Sequence, residues 1–121
     1  MNSDLSEMVE YCFGSVWALE LLLLLYRDPK RHWPHEDLVR ELRSSDVVVA
    51  GSIKRLVANG LIVVEDGGDV RYAPASEEQD ELVRQLDEEY RTRPAAVRRM
   101  IVQGPAETLK SFSDAFKLKP E

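Results

Sequence analysis

The chain has 121 residues, 44 % of them hydrophobic, with 16 basic and 22 acidic side chains and a formal net charge of −6. That length suits one domain with a modest core, and apolar residues spread along the whole chain exclude a largely disordered polymer. The acidic balance works against nonspecific affinity for nucleic acid, which rests on basic residues neutralising phosphates, although a local basic patch counts for more than the sum.

The N-terminal MNSDLSEM has neither the basic start nor the apolar stretch of a secretory signal. Leu5, Met8, Val9, Cys12 and Phe13 then recur at the spacing of an amphipathic helix. Cys12 has no second cysteine to pair with and sits on this apolar stripe, so it reads as a small hydrophobe in a reducing, cytoplasmic setting. Gly14-Ser15 breaks the stripe, and Ser15 is placed to cap a fresh helix. Within that helix 19-LELLLLLY-26 is the most apolar run of the chain; it is too short to span a bilayer and reads as a buried helix, with Glu20 marking an exposed stripe. Pro29 ends it, because the residue before a proline disfavours helical geometry.

The piece 31-RHWP-34 is expected to be extended, with Pro34 at the first position of a short helix that buries Leu38, Val39 and Leu42. After a turn at 43-RSSD-46, a helix over about 46–58 turns Val49, Ile53, Leu56 and Val57 inward and Val47, Val48, Ala50, Gly51, Ser52, Lys54, Arg55 and Ala58 outward. Asn59-Gly60 stops it. Two strands, 61-LIVVE-65 and 69-DVRYAP-74, flank a 66-DGG-68 hairpin turn. Ser76 and Gln79 have the capping-box spacing and open a helix burying Leu82, Val83, Leu86 and Tyr90. Pro94 opens another with Val97, Met100 and Ile101 inward, and after Gly104-Pro105 a last helix carries Leu109, Phe112, Ala115 and Phe116 on one side.

Helix, short strand, helix, turn, helix, hairpin is the order of a winged helix-turn-helix. At 56-LVANGLIVVEDGGDVRYAPA-75 the sequence resembles the MarR- and PadR-type bacterial transcriptional regulators, with a leucine and a small residue before NGLI, a charged wing, and Arg71-Tyr72 in the second strand. The likeness covers residues 15–75 and names no subfamily. It implies a mainly α protein: a three-helix core with a β-hairpin wing at 61–74, flanked by N- and C-terminal helices, all within a single domain over 1–121. The extension over 76–121 is expected to help form a homodimer, together with the N-terminal helix.

What the resemblance implies about function is a double-stranded DNA partner. The 46–58 helix would lie in the major groove, and Arg40, Arg43, Ser44, Ser45, Ser52, Lys54, Arg55 and Arg71 would make the groove and phosphate contacts. Two features depart from that pattern. The outward helix face is mostly Val, Ala and Gly, and the wing tip is Glu65, Asp66 and Asp69, where such wings commonly carry Arg or Lys. These favour a second reading, a winged-helix module that binds a protein partner instead of DNA. Further arginines gather at Arg27, Lys30 and Arg31 and at Arg91, Arg93, Arg98 and Arg99. His32 and His35 beside Glu36-Asp37 fall short of the three or four converging ligands a metal needs. With no phosphate loop or nucleophile elbow, neither an enzyme nor a cofactor is expected.

Overall fold

A helix that is apolar on nearly every side can satisfy itself only by being surrounded. One helix does this: α1 (Val16–Arg27) buries Leu19, Leu21, Leu22, Leu23 and Leu25 completely. The computed structural model describes Leu5, Met8, Val9, Phe13 and residues 15–103, and α1 lies at its centre. Ser15 caps it, its Oγ accepting from the Ala18 N–H, and it ends at Arg27 ahead of Pro29. Around it stand α2 (His35–Leu42), α3 (Asp46–Ala58), strands β1 (Ile62–Val64) and β2 (Val70–Tyr72), then α4 (Glu77–Thr92) and α5 (Pro94–Gln103). α1 packs chiefly against α3, and also meets α2, β2, α4 and α5. Each of its buried leucines contributes roughly 1.5–3 kcal/mol.

The two strands are antiparallel, in register Ile62↔Tyr72, Val63↔Arg71 and Val64↔Val70, and shorter than the sequence suggested. Their turn is a four-residue reversal closed by Gly68 N–H to the Glu65 carbonyl (2.7 Å), with Gly68 left-handed at φ 95°. Trp33 forms a one-residue third strand, exchanging backbone hydrogen bonds with Val70 at 2.8 and 2.9 Å. At the end of α3, Gly60 takes φ 72°, and a Cβ there would press within 3.2 Å of the Ala75 Cβ.

Four expectations are corrected. Pro34 is the N-cap of α2 and not its first residue. In α3 the inward set is Val49, Ser52, Ile53 and Leu56: Ser52 is buried, and Val57 stands 41 % exposed. Glu20 is half-buried and accepts a hydrogen bond from the Tyr90 hydroxyl at 2.7 Å, so it marks a link to α4, not a free stripe. The N-terminal stripe is spent within the chain itself, because Leu5, Met8, Val9 and Phe13 join the same core as α1. Cys12 and the stripe Leu109, Phe112, Ala115, Phe116 lie outside the described residues.

The capping box at α4 forms with a variation. Ser76 Oγ accepts from the Gln79 N–H, while the Gln79 side chain accepts from the Ala75 N–H and donates to the Asn59 carbonyl at 2.9 Å. One amide thus fastens α4 to the end of α3. Lower down, buried Asp87 takes both Nε and Nη2 of Arg27, at 3.0 and 2.8 Å, and Nη2 of Arg91 at 3.0 Å. Tyr72 of the wing donates to Asp80 at 2.7 Å and meets Tyr26 edge-to-face at 5.4 Å.

Replacing Asp87 by Ala strands two guanidinium groups that water still partly reaches. A loss of about 1–3 kcal/mol is expected in urea unfolding, with Asp87→Asn falling between. The tyrosines give a pH test. Burial and the bond to Asp80 push the Tyr72 phenol far above its usual range; burial first and then Asp87 raise Tyr26, and burial first and then Glu20 raise Tyr90. The folded chain holds these protons more tightly, so this stability is intact below pH of about 10 and drains away above it. Absorbance titration should show these phenols ionising later than free tyrosine, and Tyr72→Phe should flatten the alkaline decline.

Candidate nucleic-acid interface

Helix α3 is presented to solvent by its caps. Ser45 Oγ accepts from the Val48 N–H at 3.2 Å, and Asp46 in the first turn complements the helix dipole. The turn before it is made by Arg43, which takes left-handed φ 54° and closes the end of α2; the Ser44 N–H reaches back to the Val39 carbonyl at 3.2 Å. A side chain in that conformation costs about 1 kcal/mol relative to glycine.

The outward face of α3 carries Val47, Ala50, Gly51, Lys54, Arg55 and Ala58, all exposed, with Val47 at 81 %. Lys54 has no ion-pair partner among the described residues. Arg55 lines a shallow hollow of about 320 Å³ with Trp17, Val47, Val48 and Gly51. A second hollow, about 270 Å³, lies on α2, where Arg31, Trp33, Asp37, Arg40, Glu41 and Arg43 meet. The eight residues expected at a DNA surface therefore divide. Arg40 and Arg43 share one hollow and Arg55 borders the other. Lys54 is exposed on α3, whereas the Ser45 hydroxyl is engaged in the cap and Ser52 is buried at the floor of the hollow that Arg55 borders. Ser44 is half-buried in the turn. Arg71 lies on the outer face of the wing, where its Nε faces Glu65 at 3.7 Å.

Glu65 is held between His32 and Arg71, while Asp66 is exposed at the tip and Asp69 is half-buried beside it. His35 turns to a different carboxylate, Asp46, at 3.3 Å. Arg31 was not among the expected contacts; it lies flat over Trp33, 3.5 Å from the ring centre. The adjacency 31-RHW-33 was visible in the sequence, but only the pairing of Trp33 with Val70 carries Arg31 to Arg40 and Arg43. A wide cleft of about 1070 Å³ opens behind the wing, between Tyr26, Tyr72, Pro74 and the Asp80–Asp87 side of α4.

No family model and no curated protein matches the chain. Among solved structures it is similar to the heme sensor protein PefR, in two crystal structures: one bound to heme and carbon monoxide, the other from Streptococcus agalactiae bound to heme. Each is 16 % identical at a TM-score of 0.52, over 95 % of this chain and 79 % and 78 % of theirs. At that identity the likeness is one of fold, and it is the winged-helix regulator fold. Replacing Arg43 by Gly should release the left-handed strain and raise stability by about 0.5–1 kcal/mol in thermal unfolding, in spite of the lost side chain.

Proposed function

We propose that the protein is a winged-helix DNA-binding transcriptional regulator that acts as a two-fold dimer. The observation that carries this reading is the placement of α3. It is capped at its start, braced from behind by Val49, Ile53 and Leu56, flanked by a wing, and it turns Lys54 and Arg55 outward. Arg40 and Arg43 precede it at the helix-turn-helix corner, where backbone phosphates lie when such a helix enters the major groove. The likeness of fold to the heme sensor protein PefR supports the same reading. Since the N-terminal stripe is buried in the chain's own core, pairing is expected toward the C-terminal end, where Val102 on α5 is 75 % exposed.

A second reading rests on one observation of its own. Val47 and Trp17, exposed beside one hollow, form a small apolar surface suited to a protein partner. Heme is not carried over from PefR. In this chain His32 and His35 face Glu65 and Asp46, and the cleft behind the wing presents tyrosines and carboxylates, with the Tyr72 phenol bound to Asp80. No helix among the described residues is long and apolar enough to cross a membrane.

Binding to random duplex DNA across a salt series tests the first reading. A steep fall of affinity with salt is expected, with the slope in log–log form reduced by about 1 for each phosphate-contacting cation removed in Lys54→Ala and Arg55→Ala. Absence of binding at low salt would leave the protein-interaction reading in its place.

A further inference from the structure

The hollow between the start of α1 and the outer side of α3 is set apart by what its floor carries. Its space of about 320 Å³ is walled by Trp17, Ala18, Val47 and Val48, and Ser52 lies at the bottom, 6 % exposed. The Ser52 hydroxyl has no hydrogen-bond partner among the described residues, yet it is not sealed off as the Trp33 indole nitrogen is. A hydroxyl withdrawn from bulk water and given no partner is an unfavourable element of a fold. Gly51 is a second such element. Glycine in mid-helix is less favourable than any residue but proline, and a Cβ placed there would meet no atom within 4 Å. No packing conflict therefore demands a glycine; what the missing side chain leaves is the open space of the hollow.

We infer that this hollow is a binding site for a small uncharged aromatic molecule bearing one hydrogen-bonding group, with the Ser52 hydroxyl as that group's partner. The walls are apolar, and the indole of Trp17, 40 % exposed, offers a ring on which another ring can stack or meet edge-on. The floor offers one neutral group, able to donate or to accept. A charged head seated there would exchange its hydration for a single hydroxyl, which selects a neutral ligand. The volume stands at the lower end of small-molecule sites, about 300–1,000 Å³, and suits one or two rings. The apolar rim alone would serve a protein partner; the hydroxyl and the glycine below it point to a free molecule. The site goes beyond the DNA-binding reading and does not rest on it, although a ligand here lies against Val47 and Gly51 of the outward face.

The test titrates the full chain with indole and follows it by proton–nitrogen NMR, the tryptophan signals being assigned with Trp17→Phe. The Trp17 indole N–H and the Gly51 and Ser52 amide signals are expected to shift and saturate together, while the Trp33 indole N–H stays in place. N-methylindole, the same ring without its donor, is expected to bind about fivefold more weakly, and the anion indoleacetate more weakly still. Ser52→Ala is expected to bring indole down to the affinity of N-methylindole, and Gly51→Leu to abolish the response. Alanine and leucine both suit a helix, so each variant keeps its fold. The inference is overturned if indole leaves the Trp17 and Ser52 signals unmoved, or if the response survives Gly51→Leu. It is equally overturned if Ser52→Ala binds indole as the unaltered chain does, or if indoleacetate binds more tightly than indole.

Discussion

The described elements of this protein are arranged around α1. Five of its leucines have no accessible surface, and α2, α3, the wing, α4 and α5 all lean on it. The polar exceptions on α1 are then the informative positions. Glu20 meets the Tyr90 hydroxyl and Arg27 meets Asp87, and both partners come from α4. A half-buried carboxylate or guanidinium beside so apolar a surface needs such partners; the two lie about two turns apart on α1, and α4 answers them from Asp87 and Tyr90, within one of its turns. α4 is therefore tied to α1 by polar contacts as well as by packing.

That fixing reaches the wing. Tyr72 in β2 bonds to Asp80, and Gln79 bonds to the backbone at both Asn59 and Ala75. The hairpin, the end of α3 and the first turn of α4 thus form one hydrogen-bonded corner. Trp33 closes the opposite side, since its backbone pairs with Val70 and its ring lies under Arg31. A wing tied on both sides is positioned by the fold rather than by whatever it binds.

Much of this architecture was legible in the sequence because each signal had a local cause. Ser15, Ser45 and Ser76 cap helices where their side chains suggested it, and the DGG turn and Gly60 fall where backbone geometry requires small residues. The errors share a different cause: they depend on direction across space. In α3, residues 49, 53 and 56 define an inward arc; at 100° per residue, Ser52 and Val57 both lie about 70° from its centre, on opposite sides. Hydrophobicity preferred Val57, but only the placement of the neighbouring elements decides that Ser52 is the buried one. The left-handed turn at Arg43 and the burial of Asp87 carry no local signature, because glycine or asparagine is the usual occupant of the first and a solvated helix face the usual place of the second. The site was legible as a list of cations but not as a surface, since nothing in the spacing separates Arg40 and Arg43 from Arg55, or brings Arg31 to join the first two.

The acidic balance of the chain weighs on the proposed nucleic-acid partner only over short distances. At physiological salt, fields decay over about 8 Å, so a net charge of −6 spread over the whole chain matters less at a contact than the few groups touching it. At the wing, Glu65 faces Arg71 at 3.7 Å and touches His32, while Asp66 and Asp69 have no ion-pair partner among the described residues. On α3, Lys54 and Arg55 stand among Val47, Ala50, Gly51 and Ala58, side chains with no hydrogen-bonding groups. Such a face leaves only Lys54 and Arg55 able to bond to base edges. For the proposed DNA partner, affinity would then come mainly from phosphates, and sequence preference in part from the shape of the groove and from thymine methyl groups against valine and alanine. Contacts of that kind are weak one at a time, which makes a paired arrangement of two such heads the physical condition for the fold to act as a selective reader.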